Sequence, residues 1–406
     1  MTTASLILII VIAGLIALFV TPVLRRLLIS APIMKMVGRA LPTMGETERI
    51  ALEAGTVWWD GDLFSGKPDW QKLLEFEIKP LTEEEQAFLD GPTQKLCVML
   101  DDWEINQKRD LPSEVWDFIK NNGFFGMIIP RRYGGLEFSA HLHSAVVTKL
   151  SSRSVVAAVT VMVPNSLGPG ELLLHYGTEK QKDHYLPRLA SGQDIPCFAL
   201  TEPGAGSDAA NGQSRGIVCK GMWDDEEIIG IRLTFNKRYI TLAPVAGIVG
   251  LAFRLEDPDH MLGKVEDIGI TCALLPRETP GMIIGSRHDP MGVPFQNGPI
   301  SGEDVFVPLD YIIGGTDGAG NGWRMLMESL AAGRSISLPS QSLGAAELAT
   351  RATSAYASVR EQFGMPIAKF EGIRERLARI AGHTYFMNAA RRLAFGAVDA
   401  SIIDQY

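Results

Sequence analysis

The strongest hydrophobic pattern comes first. Leu6 to Leu24 carries no charged residue. At ~1.5 Å per residue, a helix of that length comes close to the ~30 Å hydrocarbon core of a bilayer. Arg25, Arg26, Lys35 and Arg39 follow the run, and no basic side chain precedes it. That order predicts a single-pass transmembrane anchor over 1–26, with the short N-terminus outside and the bulk of the chain in the cytoplasm. A cleaved signal peptide needs its basic residues before the apolar run. Leu24 to Leu41 mixes apolar residues with Arg and Lys. It suits a helix on an anionic membrane surface or a plain solvated helix.

Residues 27–81 form a juxtamembrane and connector segment. Its part from Pro42 to Pro80 is rich in turns and aromatics, including Trp58, Trp59 and Trp70, and is expected to be irregular. Thr82-Glu83-Glu84-Glu85 is a capping-box pattern. Val115, Trp116 and Ile119 mark an apolar helix face between an N-cap at Ser113 and a C-cap at Gly123. Ser139–Ala158, Gly168–Tyr176 and Glu179–Leu189 read as further helices. The period changes at Asp194. Cys197–Leu200, Gly216–Lys220, Glu227–Phe235, Gly247–Phe253, Ile268–Leu275 and Val305–Pro308 are short β-type runs separated by Gly, Pro, Asn and Asp, which predicts an antiparallel sheet or barrel. Helical pattern returns over Trp323–Leu330, Ser340–Phe363 and Gly372–Gly396. The result is an α+β chain with a helical domain at 82–193, a β domain at 194–314 and a second helical domain at 315–406.

Composition narrows the function. The 406 residues are 46% hydrophobic and 21% charged, which excludes disorder. A net charge of −9 argues against nucleic acid as partner. Cys97, Cys197, Cys219 and Cys272 form no CxxC pair, so a zinc site is not expected and a reducing compartment is. HExxH, GxSxG and GxxxxGK[ST] are all absent.

The densest chemical signal is Cys197-Phe-Ala-Leu-Thr-Glu-Pro-Gly-Ala-Gly-Ser-Asp208. A strand runs into Thr201 and breaks at Pro203. Gly204 and Gly206 remove side chains, Ser207 adds a hydroxyl, and consecutive N–H groups in such a turn form an anion nest. This is local equipment for a pyrophosphate. Gly204-x-Gly206-x-x-Ala209 also fits a dinucleotide fingerprint by spacing, but that motif must open a helix. Here Asn211-Gly-Gln213 and a strand-like run follow. An ordinary glycine-rich turn is the plainer alternative.

The motif does not stand alone. Asn236-Lys-Arg-Tyr-Ile-Thr241 follows it. Ile129-Pro130 with Tyr133-Gly134-Gly135, Tyr176-Gly-Thr-Glu-Lys-Gln-Lys182 and Tyr185-Leu-Pro187 precede it. Val305-Phe-Val-Pro308, Gly320-Asn-Gly-Trp323, Gly333-Arg334 and Arg360-Glu-Gln-Phe-Gly364 come later. In this order the chain resembles the acyl-CoA dehydrogenase family over roughly Glu85 to Gly382. The apolar N-terminus and Trp58-Trp-Asp-Gly-Asp-Leu-Phe64 resemble its long, membrane-associated bacterial FadE-type members, of which this chain looks like the N-terminal portion. The resemblance implies FAD-dependent α,β-dehydrogenation of a fatty acyl-CoA, of medium to long chain, as the first step of fatty acid β-oxidation. It also implies an electron-transferring flavoprotein as acceptor, a homodimer and attachment to the bacterial inner membrane through Leu6–Leu24. Phe198, Leu200, Thr201, Gly206 and Ser207 would line the flavin, with Ser207 also near substrate. Tyr239, Ile240 and Thr241 would cover the other side of the ring system. Arg334 would lie at the substrate channel. Arg360, Gln362 and Phe363 would reach the FAD of a neighbouring subunit.

One part is missing. The family's glutamate base would lie beyond Tyr406, and the alternative position is Gly333, which has no side chain. Glu328 lies on the same helix about 140° away. Glu371 stands where many members carry Gln near the partner's flavin phosphates, and a carboxylate there would repel them. The late glycine-rich flavin motif is also absent. Either the second helical domain is incomplete and the base lies further on, or the chain is a non-catalytic acyl-CoA- and flavin-binding homologue. A flavin oxidase or monooxygenase on the same scaffold is a third option.

Overall fold

The computed structural model describes residues 3–54, 57–166 and 168–403. The first two residues of the expected anchor and the last three of the second helical domain lie outside these. The chain divides into two compact units, Met1–Arg49 and Ile50–Tyr406.

In the first unit the apolar helix runs over Thr3–Val20 and stops short of the expected Leu24. Thr21 adopts an extended ψ of 108° before Pro22, which begins a separate turn, Pro22–Arg25. The clash between a proline ring and the preceding residue accounts for the break. Among the described residues this is one helix long and apolar enough to cross a membrane. Ala31–Ala40 is helical and has no buried residue.

In the second unit the connector is less irregular than expected. Short helices form at Trp59–Phe64 and Trp70–Leu74, the latter capped by the Asp69 carboxylate, which accepts from the N–H groups of Gln71 and Lys72. The indole of Trp59 donates to the Asp69 carbonyl at 2.6 Å and ties the two together. The capping box at Thr82 and Glu85 forms. Glu85 also accepts from the N–H of Ser139, which joins that helix to Ala140–Ser151. Pro112, not Ser113, takes the N-cap position before the helix Ser113–Asn121. The continuous helix expected over 139–158 is two helices, Ala140–Ser151 and Val155–Met162. Between them the Ser152 hydroxyl donates to the Lys149 carbonyl, a local bond that competes with helix continuation.

The sheet has seven strands: β1 (Pro196–Ala199), β2 (Arg215–Trp223), β3 (Glu226–Thr241), β4 (Ile248–Glu256), β5 (Asp267–Pro276), β6 (Met282–Ile284) and β7 (Asn297–Pro308). Their order is β1-β4-β2-β3-β7-β6, with β5 on β4. The sheet is mixed, not antiparallel, because β1 and β2 both run parallel to β4. Asp224 and Asp225, both at positive φ, reverse the chain between β2 and β3. The return from the end of β3 then brings β4 alongside β1 in the same direction. No pairing among the described residues closes a barrel.

Both sheet faces are covered. Leu233, Phe235, Val249 and Leu251 share a core with Leu142, Val146 and Leu150 of the helix Ala140–Ser151. Ile248, Ala252, Cys272 and Leu274 share another with Leu172, Leu173, Leu326 and Leu330. The two helices expected after Gly322 are one, Gly322–Val359, which passes through Pro339. It packs along Ala140–Ser151 on one flank and Glu371–Ile403 on the other. Support on both flanks compensates the hydrogen bond that proline removes.

Candidate functional site

The site is built where β1 ends. Glu202 and Ala205 exchange backbone hydrogen bonds of 3.1 and 3.2 Å, closing a tight turn around Pro203 and Gly204. Glu202 and Ala205 are buried, while Gly204, Gly206 and Ser207 are exposed. Neither glycine has a positive φ, and a Cβ at either would meet nothing within 4 Å. The fold itself therefore does not demand glycine here. The N–H groups of Thr201, Gly204, Gly206 and Ser207 find no acceptor among the described residues. An open loop face with free donors is a cradle for anionic oxygens.

A buried ion pair fixes that loop. The ammonium of Lys237 on β3 lies 2.7 Å from the Glu202 carboxylate, with the two side chains 2% and 5% exposed. Lys237 also donates to the Leu200 carbonyl at 3.2 Å. Glu202 accepts from the N–H groups of Gln213 and Ser214 as well. Burial alone would push the Glu202 carboxyl up, but the hydrogen bonds from Lys237, Ser214 and Gln213 together hold it below the usual carboxylate range. Burial pulls the Lys237 ammonium down, against the pull of Glu202. Sequence reasoning quoted both residues, but it gave Lys237 no role and Glu202 only a place within the flavin-lining segment. The signal was present: Lys237 falls in phase with inward-facing Ile231, Leu233 and Phe235.

The end of β3 lies against the same loop. Arg238 N–H donates to the Thr201 carbonyl at 3.0 Å. A bulge between Lys237 and Ile240 shifts the strand's phase, and Tyr239 sits at φ 57°. The consequence is that the Tyr239 ring is turned out while Ile240 stays buried. Thr241 follows, half-buried, its hydroxyl oxygen accepting from the Asn297 amide. Phe198 and Leu200 are half-buried against Leu172, Met325 and Leu330. The structure thus gathers Phe198, Leu200, Thr201, Gly206, Ser207, Tyr239, Ile240 and Thr241 around one loop and one strand end.

The remaining candidates lie on the long helix and beyond it. Gly333 is buried where a Cβ would come within 2.1 Å of the Ser166 carbonyl oxygen, so no acid fits there. Arg334 is exposed beside it. Glu328 accepts from Arg324 at 3.4 Å, and partial burial raises its carboxyl. Trp323, at the start of the helix, lines a cavity of about 20 Å³ with Leu200, Glu202 and Lys237. Arg360 lies 37 residues further on, on the order of 50 Å along the axis. Gln362 and Phe363 occupy an exposed hairpin there, formed by Glu361–Gln362 and Met365–Pro366. Arg360, Gln362 and Phe363 are therefore not brought together with the Thr201 loop of their own chain.

One acid escaped the sequence reading. Glu171 opens the helix Pro169–Tyr176, which packs between β1 and the long helix. Burial pushes its carboxyl up to about 8. It has no hydrogen bond or ion pair among the described residues. Its place before Leu172-Leu173-Leu174 gave no chemical signal. A carboxyl raised by folding contributes stability in the protonated state. That contribution is complete below the ordinary carboxylate range and is lost as pH rises through about 8. Urea midpoints of the native chain should fall over that window, and Glu171→Gln should flatten the fall.

The architecture defines a class: a helical layer, a mixed sheet with an anion-cradling loop, and a helical bundle started by the long helix. Family models for the N-terminal, middle and C-terminal domains of acyl-CoA dehydrogenases match residues 82–193, 197–305 and 320–402. The chain is 33% identical over 307 residues to the caffeyl-CoA reductase-Etf complex subunit CarC of Acetobacterium woodii, covering 74% of this chain and 73% of that protein. Butyryl-CoA dehydrogenase from Megasphaera elsdenii superposes with a TM-score of 0.66 at 28% identity, over 79% of this chain and 80% of that one. A 104-residue stretch, 26% of the chain, is 57% identical to protein HemX of Proteus mirabilis and spans 61% of that protein's length. The chain belongs to the acyl-CoA dehydrogenase family, a family of oxidoreductases, and its cofactor is FAD. The residues present fit that group: free N–H donors and the exposed Ser207 lie where an acceptor-rich flavin and pyrophosphate need donors.

Proposed function

We propose that this chain is the membrane-anchored, FAD-holding part of a fatty acyl-CoA dehydrogenase of the long, membrane-associated bacterial type. That enzyme would take medium- to long-chain acyl-CoA to trans-2-enoyl-CoA in the first step of β-oxidation and pass electrons to an electron-transferring flavoprotein. The observation that carries this reading is the open Thr201–Ser207 loop, clamped by Glu202 and Lys237 beside the outward-turned Tyr239. Thr201, Gly206 and Ser207 would bind the flavin through backbone N–H groups and hydroxyls, with Phe198 and Leu200 behind them. Tyr239, Ile240 and Thr241 would cover the ring system and exclude water. Ser207 and Arg334 would orient the acyl-CoA. FAD, when bound, supplies the acceptor for the hydride that leaves the β-carbon. The length of the helix between Trp323 and Arg360 supports assigning Arg360, Gln362 and Phe363 to the flavin of a second copy, hence a homodimer. The uncharged Thr3–Val20 helix followed by Arg25 and Arg26 supports the inner membrane, with the bulk of the chain in the cytoplasm.

The α-proton needs a base, and Gly333 has no room for one. We place the base outside the described residues. The same observation favours a second reading, in which the chain binds acyl-CoA and flavin without catalysis. The test is the visible spectrum of the detergent-purified chain, before and after anaerobic palmitoyl-CoA. Both readings expect bound flavin that does not bleach. Bleaching would mean that a working base lies within these residues. A colourless protein would remove the proposed cofactor site from this chain.

A further inference from the structure

Two residues far from the flavin motifs hold the end of β3. Asn297, at the start of β7, is paired with Thr241 across the sheet and is 3% exposed. Its amide Nδ2 donates to the Thr241 hydroxyl oxygen at 3.3 Å. Its Oδ1 lies 3.2 Å from Nδ1 of His288. In this amide orientation Nδ2 donates and Oδ1 accepts, which assigns the His288 proton to Nδ1. The His288 backbone N–H donates to the Asn297 carbonyl at 2.8 Å, which fixes the two residues to each other. The His288 ring also packs on Tyr239, centroid to centroid 4.8 Å. One histidine therefore supports both side chains proposed to cover the isoalloxazine: Tyr239 by ring contact and Thr241 through Asn297.

The direction of the chain matters. A threonine hydroxyl offers one hydrogen. Because Thr241 Oγ1 accepts from Asn297, that hydrogen stays available, and among the described residues it has no acceptor. We infer that His288 and Asn297 are positioning residues that orient the Thr241 hydroxyl as a donor to an acceptor atom of the flavin ring and hold Tyr239 against the ring system. The inference rests on the reading of Thr241 and Tyr239 as flavin-covering residues.

The test uses the full chain in detergent, titrated with FAD, with flavin absorption and reduction potential as readouts. Asn297→Leu removes the donor to Thr241. His288→Phe keeps a ring against Tyr239 but loses Nδ1, and its half-exposed site makes misfolding a smaller concern. Each variant should weaken FAD binding about 3- to 10-fold, the worth of one hydrogen bond, and shift the potential in the same direction as Thr241→Val. Thr241→Val combined with Asn297→Leu should be no worse than Thr241→Val alone. Native-like affinity and potential in both variants, or additive losses in the double variant, would overturn the inference and leave the flavin reading intact. Failure of the native chain to take up FAD would overturn the flavin reading, and this inference with it.

Discussion

Replacing Lys237 by methionine is expected to destabilise the second unit by about 3–5 kcal/mol, the usual effect of stranding one charge of a buried pair. Methionine fills similar volume, so cavity formation is not the cause. The cause is Glu202, which would remain buried with only the Gln213 and Ser214 N–H groups on its carboxylate. The Leu200 carbonyl would lose its ammonium donor at the same time. A loop that presents free N–H groups needs an outside reason to stay in place, and this pair supplies it. The fall in the urea midpoint should come with loss of FAD uptake in the fraction that stays folded. Pairing Lys237→Met with Glu202→Gln should recover part of the loss, because the stranded charge is gone. The pH dependence follows the depressed Glu202 carboxyl. Its contribution is complete at neutral pH and is lost only as pH falls below the ordinary carboxylate range. A single Lys237→Met variant as stable as the native chain would refute the role of the pair.

Much of this arrangement was legible in the sequence, for local reasons. The capping box at Thr82 needs only four consecutive residues, and it forms as read. The strand runs after Asp194 were visible through their turn residues, although β3 extends to Thr241 where the run ended at Phe235. Strand direction was not legible. Whether β4 runs with or against β1 depends on how the β2–β3 hairpin returns, and local alternation carries no information about that. Two helical runs were expected, Trp323–Leu330 and Ser340–Phe363, because propensity is local, whereas a single helix continues through Pro339 with two other helices packed along it. The site divides in the same way. The glycine-rich loop and Tyr239–Thr241 are contiguous motifs and could be read. Glu202 with Lys237, and His288 with Asn297, are pairs defined across the sheet. Their meaning appears only with register, and a bulge at Lys237/Ile240 sets that register.

Placing an acid on the long helix, as Gly333→Glu, is expected to unfold the helical seam rather than supply a base. The Cβ alone would sit 2.1 Å from the Ser166 carbonyl oxygen and 2.7 Å from the carbonyl carbon, and backbone cannot yield cheaply. The contact belongs to a row of close approaches. Ser337 meets Ser166 hydroxyl to hydroxyl at 2.5 Å, Ser340 meets Ser144 at 2.6 Å, and a Cβ at Gly344 would lie 2.5 Å from the Thr148 carbonyl oxygen. Even Gly333→Ala should therefore destabilise, by about 1–3 kcal/mol of overpacking, although alanine is the better helix former by about 1 kcal/mol. Gly382→Ala gives the contrast, because a Cβ there meets nothing within 4 Å inside the helix Glu371–Ile403. It should stabilise by about 0.5–1 kcal/mol. Thermal midpoints that move in opposite directions for the two alanine variants would establish the seam. A folded Gly333→Glu protein whose flavin bleaches with palmitoyl-CoA would show instead that the helices can separate at this point. The base could then sit where the alternative family position has it. The expected result, loss of fold without gain of bleaching, leaves Gly333 as a packing residue and puts the proton acceptor elsewhere.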